Sequence, residues 1–461
     1  MTDILDMLKT KPWDHQMKGI EYGLSKRAAL LHMHMGTGKT KVVLDIAYIN
    51  NCQNVLIICP VAVLRVWPKE MEKHYGGEYS VSVLDDKSMP KKLEKMREHG
   101  AGCNFKVINY ESCWRSKMGK EILSKNWDML VFDESHRIKS HGGKASKFCA
   151  KIQATKKLAL TGTPMPHSPL DIFGQYRALD INIFGRYWTP FKSQYAVCGG
   201  PEGRWIVGTR NIEDLGLKTN SIRYEVKDDA LDLPPMTEQD IVFPLDKEKK
   251  NYREMEELFI TEVRGGDVTA SNAMVKVIRL QQITSGYLPL NNDPDNPLPI
   301  GNSKLSVLKE LLTDIGSEPV VIFCRFRHDI SAIRRVCDDL SITNGEISGS
   351  EKNMEAWDRG DIDAMAVQMQ SGSEGIDLTR SRYVIWYSMG FSRGQYDQAN
   401  ARCHRPGQVN PVTVYRLLAD QTIDTKIVKS LVKRKKKIDE ALGVKDNLMD
   451  DVLQQFGELP F

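Results

Sequence analysis

The chain has 461 residues, more than a single hydrophobic core usually supports, so at least two domains are expected. Hydrophobic residues make up 41% and charged residues 27%, which excludes an intrinsically disordered protein, and no apolar run approaches the ~20 residues that cross a membrane. The net charge of +4 permits a nucleic-acid partner without requiring one, and the first ten residues lack the basic and apolar regions of a secretion signal.

Apolar runs rich in Val and Ile alternate with helix-like stretches over about the first 180 residues. AALLHM, NVLIICP, FKVINY, WDMLVFDE and KLALTGTP predict buried strands, and KVVLDIAYI, VLRVWPKEMEKHY and KASKFCAKIQA predict helices between them. Strands that alternate with helices predict an α/β fold with a parallel sheet covered on both faces.

The pattern changes after about residue 180. Residues 184–205 are aromatic, basic and rich in glycine, residues 245–288 are helix-like, and PLNNDPDNPLPIGNSK predicts a connecting loop. A second α/β series follows, with PVVIFCRF, DAMAVQM, RYVIWYS and VTVYRLL as strands and TIDTKIVKSLVKRKKKIDEALG as a basic helix. Two such halves predict a ligand cleft at the ends of their strands.

The stretch LHMHMGTGKT, residues 31–40, predicts a phosphate-binding loop. Glycine at 36 and 38 lets the backbone N–H groups around Thr37 face a phosphate, Lys39 reaches the β- and γ-phosphates, and the Thr40 hydroxyl binds Mg²⁺. Met33 stands where the general pattern has its first glycine, and a chance Gly-Thr-Gly-Lys turn is the alternative. The predicted strand before the loop and helix after it favour the nucleotide site.

The acidic pair in MLVFDES supplies the second half of such a site. Asp133 is expected to hold Mg²⁺ and Glu134 to polarise the attacking water, the division of roles that phosphoryl transfer to water requires. An isolated Asp-Glu pair could equally be a solvated strand end. The presence of both halves in this order favours the catalytic interpretation.

A series of motifs from about residue 11 to residue 427 resembles the SNF2 family of superfamily 2 helicase-like ATPases, in its compact phage or bacterial form. The matching stretches are KPWDHQMKGIEY, LIICPVAVLRVWPKEMEK, VINYES, FDESHRIKS, LALTGTPMPHSPLDIFGQYRALD, VVIFCRF, QSGSEGIDLTRS and QANARCHRPGQ. In this family motif I does not need the glycine that Met33 replaces, although an acidic pair often stands where Met33 and His34 are.

The resemblance implies two tandem RecA-like lobes with parallel sheets, SNF2-type helical insertions between them, and ATP with Mg²⁺ in the cleft. The implied divisions are 1–235 for lobe 1 with a helical protrusion at about 182–235, 236–300 for a helical insertion and linker, 301–425 for lobe 2, and 426–461 for a basic helix and tail. Gln16 and Gln398 are implied to contact the nucleotide. Arg402 and Arg405 are implied to stabilise the γ-phosphate from one face of a single helix, with a surface ion-pair face as the alternative.

The resemblance further implies a DNA partner, with duplex favoured over single strands. Coupling of hydrolysis to DNA is assigned to Thr161, Gly162, Thr163, Glu374, Gly375 and Asp377. Candidate DNA contacts are Arg65, Trp67, His136, Lys139, Arg325, Ser371 and Gly372, together with the basic run Lys433 to Lys437, and each of these could instead be a solvated surface residue. The aromatic insert at 184–205 could stack on bases, although packing against its own lobe is favoured.

Three functions remain open on the sequence. The first is an ATP-driven translocase that moves mainly on duplex DNA and remodels protein–DNA complexes or junctions, and the others are a strand-separating helicase and an ATP-gated DNA-binding adaptor. Nine cysteines without a C-x-x-C pair predict buried reduced thiols in a cytoplasmic protein, and no membrane association is expected. His32 and His34 are considered as metal ligands, but the sequence offers no third ligand nearby.

Overall fold

The computed structural model describes residues 8–34, 36–166, 168–199, 205–226, 231, 233–265, 270–289, 297–349, 351–369 and 376–440. These residues belong to two compact units, whose main segments are Met1–Asp232, the first lobe, and Leu233–Asp439, the second lobe. Each lobe is built around its own β-sheet.

The first lobe contains a seven-stranded sheet in the order β3-β4-β2-β5-β6-β1-β9, and every neighbouring pair is parallel. Its strands are β1 Ala28–Met33, β2 Asn54–Cys59, β3 Tyr79–Val83, β4 Cys103–Asn109, β5 Trp127–Asp133, β6 Ala154–Thr161 and β9 Arg223–Val226. The hairpin of β7 Ala196–Gly199 and β8 Trp205–Thr209 is antiparallel and separate from it.

The helices of the first lobe are α1 Asp14–Ser25, α2 Lys39–Ile49, α3 Val66–His74, α4 Met89–Arg97, α5 Tyr110–Cys113, α6 Ser116–Leu123, α7 Lys144–Cys149, α8 Ile172–Leu179, α9 Ile181–Phe184, α10 Trp188–Tyr195 and α11 Ile212–Asn220. Two apolar layers bury the two faces of the sheet. Leu30, Leu56 and Ile58 belong to one layer, and Leu31 and Ile57 to the other, as strand alternation requires.

The second lobe contains a six-stranded parallel sheet in the order β10-β17-β16-β13-β15-β14. Its strands are β10 Met236–Phe243, β13 Val320–Cys324, β14 Asn344–Ile347, β15 Ala364–Gln368, β16 Tyr383–Trp386 and β17 Val412–Ala419, beside a small antiparallel pair, β11 Tyr287–Pro289 and β12 Pro297–Pro299. The helices are α12 Lys249–Gly265, α13 Ala270–Thr284, α14 Ser303–Ile315, α15 Arg327–Asp339, α16 Met354–Arg359, α17 Arg393–Cys403 and α18 Ile423–Glu440.

The nine predicted strands and the long predicted helices are present, so the α/β fold with two parallel sheets is confirmed. The range 182–235, predicted as a helical protrusion, also contains the β7-β8 hairpin and β9, which extends the first sheet. The range 236–300, predicted as a helical insertion, begins with β10, which pairs with β17 over eight residues and therefore belongs to the second sheet.

Eight of the nine cysteines are buried, and Cys198 in β7 is exposed. Burial raises the pKa of several of these thiols, Cys52 and Cys103 among them, which keeps them protonated and unreactive. Within the part of the chain that is described, no helix is long and apolar enough to cross a membrane.

Candidate active site

Three predicted motifs lie side by side at one edge of the first sheet. Strands β1, β6 and β5 are consecutive neighbours, with His32 paired to Thr161 and Asp133 to Leu160. Because carboxyl ends of parallel strands meet at one edge, the phosphate loop, the acidic pair and the threonine motif converge there. The parallel register therefore brings together residues that are more than 120 positions apart in the chain.

The phosphate loop has the backbone that its glycines allow. Gly36 and Gly38 adopt φ of 80° and 78°, and Gly38 is the residue before the first turn of α2. The Lys39 ammonium donates to the carbonyl oxygens of Met33 at 3.0 Å and His34 at 3.2 Å. This lysine thus lies folded over the loop, at the positive end of a helix suited to binding a phosphate.

Gln16, predicted to contact the nucleotide, is 3% exposed and is bonded at both ends of its amide. Its Nε2 donates to the Thr37 carbonyl at 3.0 Å, and its Oε1 accepts from the Trp13 N–H at 3.0 Å. A Cβ at position 38 would overlap the same amide, so Gly38 permits this close packing. Gln16 therefore fixes the start of α1 to the phosphate loop.

Asp133 is held at three atoms. Its Oδ2 accepts from the Trp67 indole N–H at 3.1 Å, its Oδ1 accepts from the Glu134 N–H at 3.0 Å, and its carbonyl accepts from the Tyr110 hydroxyl at 2.8 Å. Burial, with the negative charge of Glu134, raises the pKa of Asp133 to about 7, whereas the positive charge of Lys39 opposes the shift. Lys39 and Asp133 are therefore close enough for their charges to interact.

Glu134 connects the acidic pair to the threonine motif. Its φ of 48° lies in the left-handed region, which a residue with a side chain rarely adopts and which costs on the order of 1 kcal/mol or more. Its Oε2 lies 3.3 Å from His136 Nδ1, which also lies 3.3 Å from the Thr161 hydroxyl. Thr161 Oγ1 in turn accepts from the Thr163 N–H at 3.0 Å. A continuous polar chain thus runs from Glu134 to Thr163.

His32 lies near the carboxyl end of β1 and contacts two neighbouring segments of the lobe. Its Nε2 lies 3.2 Å from the Gly162 carbonyl, and its Nδ1 lies 3.4 Å from Glu225 Oε1. Burial, followed by the charge of Arg223, lowers the pKa of His32 to about 3, so the ring is neutral at ordinary pH. Across the described residues no group of three potential metal-binding His, Cys, Asp or Glu side chains occurs.

The donor set at the sheet edge suits Mg²⁺ better than a softer metal. Asp133 offers a carboxylate that is already oriented by two hydrogen bonds, and Thr40, in the first turn of α2, offers a hydroxyl. Mg²⁺ prefers few protein oxygen ligands together with phosphate oxygens and water, which is the chemistry available here. These two residues are therefore the ones that would hold the ion with a nucleotide.

In the second lobe, the prediction that Arg402 and Arg405 share one helix face is wrong. Helix α17 ends at Cys403, and Arg405 precedes Pro406, which disfavours a helical conformation at the residue before it. His404 leaves the helix, and its Nε2 lies 2.6 Å from the Pro234 carbonyl. Arg402 is thus a helical and buried residue, whereas Arg405 lies in the following turn.

The described part of motif V is tied to motif VI within this lobe. Arg405 NH1 lies 4.0 Å from Asp377 Oδ2, and the Arg402 carbonyl accepts from the Leu378 N–H at 3.1 Å. The Gln408 amide donates to the carbonyls of Thr379, Ser381 and Cys403 at 3.0, 2.9 and 3.1 Å. Gln398 lies half-buried on α17, and Ser371, Gly372, Glu374 and Gly375 lie outside the described residues.

Two candidate DNA contacts have side chains that contact residues inside their own lobe, and the burial of Trp67 contradicts its predicted role. Trp67 is 1% exposed and donates its indole N–H to Asp133. The Arg325 guanidinium packs 4.4 Å from the centre of the Phe391 ring and donates to Gln281 Oε1 at 2.5 Å, and burial lowers the pKa of Arg325 to about 10. Trp67 is therefore not exposed to a DNA backbone, whereas Arg325 is partly exposed and its DNA contact stays a prediction.

The other candidate contacts differ in exposure. The Arg65 side chain is 84% exposed and pairs with Asp85 at 2.8 Å, so it remains available to a partner. His136 is engaged with Glu134 and Thr161, and Lys139 is partly buried with its Nζ 3.9 Å from Asp171 Oδ2. The backbone of Lys433 to Lys437 is helical in α18, and the side chains there lie outside the described residues.

The sequence interpretation missed two residues that act on Asp133, namely Trp67 in this role and Tyr110. Trp67 follows β2, which is the neighbour of β5 in the sheet. Tyr110 follows β4, which lies on the other side of β2. The sequence signal for these contacts was a Trp or Tyr just beyond the end of a buried strand. Such a side chain usually buries its ring and donates its N–H or O–H to a nearby acceptor.

Comparison with protein families gives two matches along the chain. Residues 15–286 match the SNF2-related domain, and residues 303–407 match the helicase conserved C-terminal domain. The first match alone covers more than half of the 461 residues.

Individual relatives are distant but are aligned over most of this chain. It is 24% identical to mouse chromodomain-helicase-DNA-binding protein 1-like, covering 89% of this chain and 48% of the relative. It is 24% identical to the putative ATP-dependent helicase/translocase YwqA of Bacillus subtilis, covering 92% and 46%, and 24% identical to putative protein p41 of Acyrthosiphon pisum secondary endosymbiont phage 1, covering 90% and 94%. The chain thus spans about half or less of the mouse and Bacillus proteins, and nearly all of the phage protein.

Among solved structures, the SWI2/SNF2 ATPase core of Sulfolobus solfataricus in complex with double-stranded DNA aligns over 98% of this chain and 96% of its own, with 19% sequence identity and a TM-score of 0.44.

Proposed function

We propose, from the premise that this chain belongs to the SNF2-related family of helicase-like ATPases, that it hydrolyses ATP to translocate along DNA, mainly double-stranded. The observation that carries the proposal is the sheet edge where the phosphate loop, Asp133 and Glu134, and Thr161 end three adjacent strands. Translocation remodels protein–DNA complexes or DNA junctions.

In the first lobe, the residues have separate tasks in the reaction. Lys39 leaves the loop carbonyls to bind the β- and γ-phosphates, and the N–H groups of residues 36–40 surround the phosphate oxygens. Thr40 and Asp133 would hold Mg²⁺, which would neutralise phosphate charge. Glu134 orients the attacking water and accepts its proton, the water oxygen bonds to the γ-phosphorus, and the bond from that phosphorus to the ADP oxygen breaks.

In the second lobe, Arg402 and Arg405 act on the charge that spreads over the γ-phosphate in the transition state. Two features support this role. Arg405 is only loosely paired, at 4.0 Å from Asp377, and its backbone is fixed by the end of α17 and by Pro406. Gln398 on the same helix contributes to nucleotide binding.

The DNA partner is supported by the names of the relatives, which include a DNA-binding helicase and a helicase/translocase. Arg65, the residue before α3, has an exposed basic side chain that suits a phosphate contact. The polar chain from Glu134 through His136 to Thr161 and Thr163 supports coupling between hydrolysis and such contacts. A strand-separating helicase is the second candidate, because relatives are named ATP-dependent helicases.

The test measures ATPase activity without nucleic acid and with duplex DNA, single-stranded DNA or RNA, followed by displacement of a triplex-forming strand from duplex DNA. Strong stimulation by duplex DNA with ATP-dependent triplex displacement is expected. Unwinding of a forked duplex would favour the helicase. ATP-dependent DNA binding with negligible turnover would overturn translocation and favour an ATP-gated adaptor. Lys39→Ala, which should abolish nucleotide binding, is the negative control.

A further inference from the structure

Trp67 makes a polar contact that its motif does not predict. It lies in the first turn of α3, with its side chain 1% exposed, and its indole N–H donates to Asp133 Oδ2 at 3.1 Å. The strand before α3 is β2, which pairs with β5, whose last residue is Asp133. The contact therefore joins helix α3, which follows β2, to the last residue of the neighbouring strand β5.

The consequence for Asp133 is a carboxylate that cannot turn freely. Trp67 holds Oδ2, and the Glu134 N–H holds Oδ1 at 3.0 Å, so rotation about the carboxylate breaks both bonds. Each oxygen accepts one hydrogen bond and keeps a lone pair for a further interaction. An indole N–H has no acceptor capacity and no charge, so it orients the carboxylate without competing with a cation.

We propose that Trp67 is a positioning residue that holds the Asp133 carboxylate in the orientation that receives Mg²⁺ with the nucleotide. The inference rests on the proposed function, in which Asp133 is the Mg²⁺ residue. Hydrogen-bonded partners of metal-binding carboxylates typically change metal affinity by about 10- to 100-fold when they are removed. Trp67 contributes at the lower end of that range, because Glu134 N–H still holds the second oxygen.

The alternative is that Trp67 only fills the apolar layer beneath α3, and the chain contains a matched control for it. Trp127, in β5 itself, is 4% exposed and donates its indole N–H to the Ile122 carbonyl at 3.0 Å. Trp67→Phe and Trp127→Phe each remove one buried indole N–H and a similar ring volume. They differ in whether the lost bond reaches Asp133.

The experiment compares the full-length wild type, Trp67→Phe and Trp127→Phe by calorimetric titration with ADP, in excess EDTA and in a series of Mg²⁺ concentrations. We expect Trp67→Phe to leave metal-free ADP affinity unchanged, to weaken the Mg²⁺-dependent part of the affinity about tenfold, and to raise the half-saturating Mg²⁺ of ATPase activity similarly. Trp127→Phe should match the wild type in both. Equal behaviour of the two variants would overturn the inference.

A second substitution guards against a folding defect in Trp67→Phe. Site-specific replacement of Trp67 by benzothienylalanine keeps the shape of the indole and exchanges its N–H for sulfur. The same rise in half-saturating Mg²⁺ is expected, and wild-type behaviour of this folded variant would contradict the inference. If the wild type itself shows no Mg²⁺-dependent nucleotide binding, the proposed function fails. If it does and only the Trp67 variants are normal, this inference alone fails.

Discussion

Each lobe has an aspartate with a raised pKa close to the end of a central strand, and the two aspartates differ in their neighbours. Burial raises the pKa of Asp133 in the first lobe to about 7 and that of Asp329 in the second lobe to about 6. Asp133 is beside the carboxylate of Glu134 and in the field of Lys39. Asp329 Oδ2 accepts from the Phe326 N–H at 3.2 Å and the Ser388 hydroxyl at 2.5 Å.

The difference shows that a raised pKa does not by itself identify a catalytic group. Asp329 caps the first turn of α15 and joins it to Ser388, which follows β16, so its neighbours are hydrogen-bond donors of the fold. Asp133 has neighbours that a nucleotide and its metal would use. The residues proposed to act on the nucleotide from the second lobe, Arg402 and Arg405, lie instead at the end of α17.

The largest expected effect tests that assignment at the second lobe. Arg405→Ala should reduce turnover by roughly 10³-fold, because an arginine that stabilises transferring phosphate contributes on that order, while ATP binding is retained. Steady-state ATPase rates at saturating DNA, with nucleotide binding by fluorescence titration, provide the measurement. Arg382→Ala, which removes a surface arginine paired with Glu318 at 3.2 Å, should be normal. Normal turnover of Arg405→Ala would refute its role.

The next effect separates the carboxylate sites of the two lobes directly. Glu134→Gln should lower turnover by roughly 10²–10⁴-fold and keep ATP binding, because the amide cannot accept the proton of the attacking water. Asp329→Asn, in the second lobe, should stay within about threefold of the wild type in turnover per folded molecule. A similar loss in both variants would mean that the contrast between the sites is false.

Asp329 also predicts a pH dependence of stability. Its pKa is about 6 in the folded protein and 3.8 ordinarily, so between these values the folded state keeps a proton that the unfolded state has lost. Its stabilising contribution is therefore complete below about pH 4 and is lost as the pH rises through about 6. Asp329→Asn, which does not titrate, should gain about 3 kcal/mol relative to the wild type across that window. Urea unfolding at several pH values measures the difference, and a constant difference would contradict the prediction.

The smallest effect concerns the polar chain beyond Glu134. Thr161→Val keeps the volume of the side chain and removes the hydroxyl that contacts His136 and the Thr163 N–H. We expect the ratio of DNA-stimulated to basal ATPase to fall about tenfold with little change in the basal rate, on the scale of one or two hydrogen bonds. Thr313→Val, at an exposed helical threonine of the second lobe, is the control. An unchanged ratio would exclude Thr161 from coupling.

The sequence predicted the interior of both sheets and missed their edges. The nine strands inferred from apolar runs are present. In the two parallel sheets, the four strands not inferred are the edge strands β3, β9, β10 and β14. An edge strand is covered less completely than a central one, so its sequence can alternate with polar residues, as YSVSV in β3 does. Continuous apolar runs therefore signal central strands only.

In the site, the sequence could identify which residues belong to the motifs but not where each side chain points. Arg65 and Trp67 are two positions apart in one motif, yet Arg65 is exposed and Trp67 is buried against Asp133. Spacing on a helix assigned Arg402 and Arg405 to one face, but Pro406 ends the helix before Arg405. The direction of a side chain depends on packing and on where a helix ends, and the order of the motifs encodes neither.

The burial of eight cysteines has a practical consequence for spectroscopy. Cys198, in the β7-β8 hairpin, is the exposed thiol among the nine, and burial keeps several of the others protonated. A maleimide dye or nitroxide should therefore attach predominantly at this hairpin in the native protein, without a cysteine-free background. Mass spectrometry of the labelled chain would reveal a single adduct, and the probe would report the environment of the hairpin during turnover.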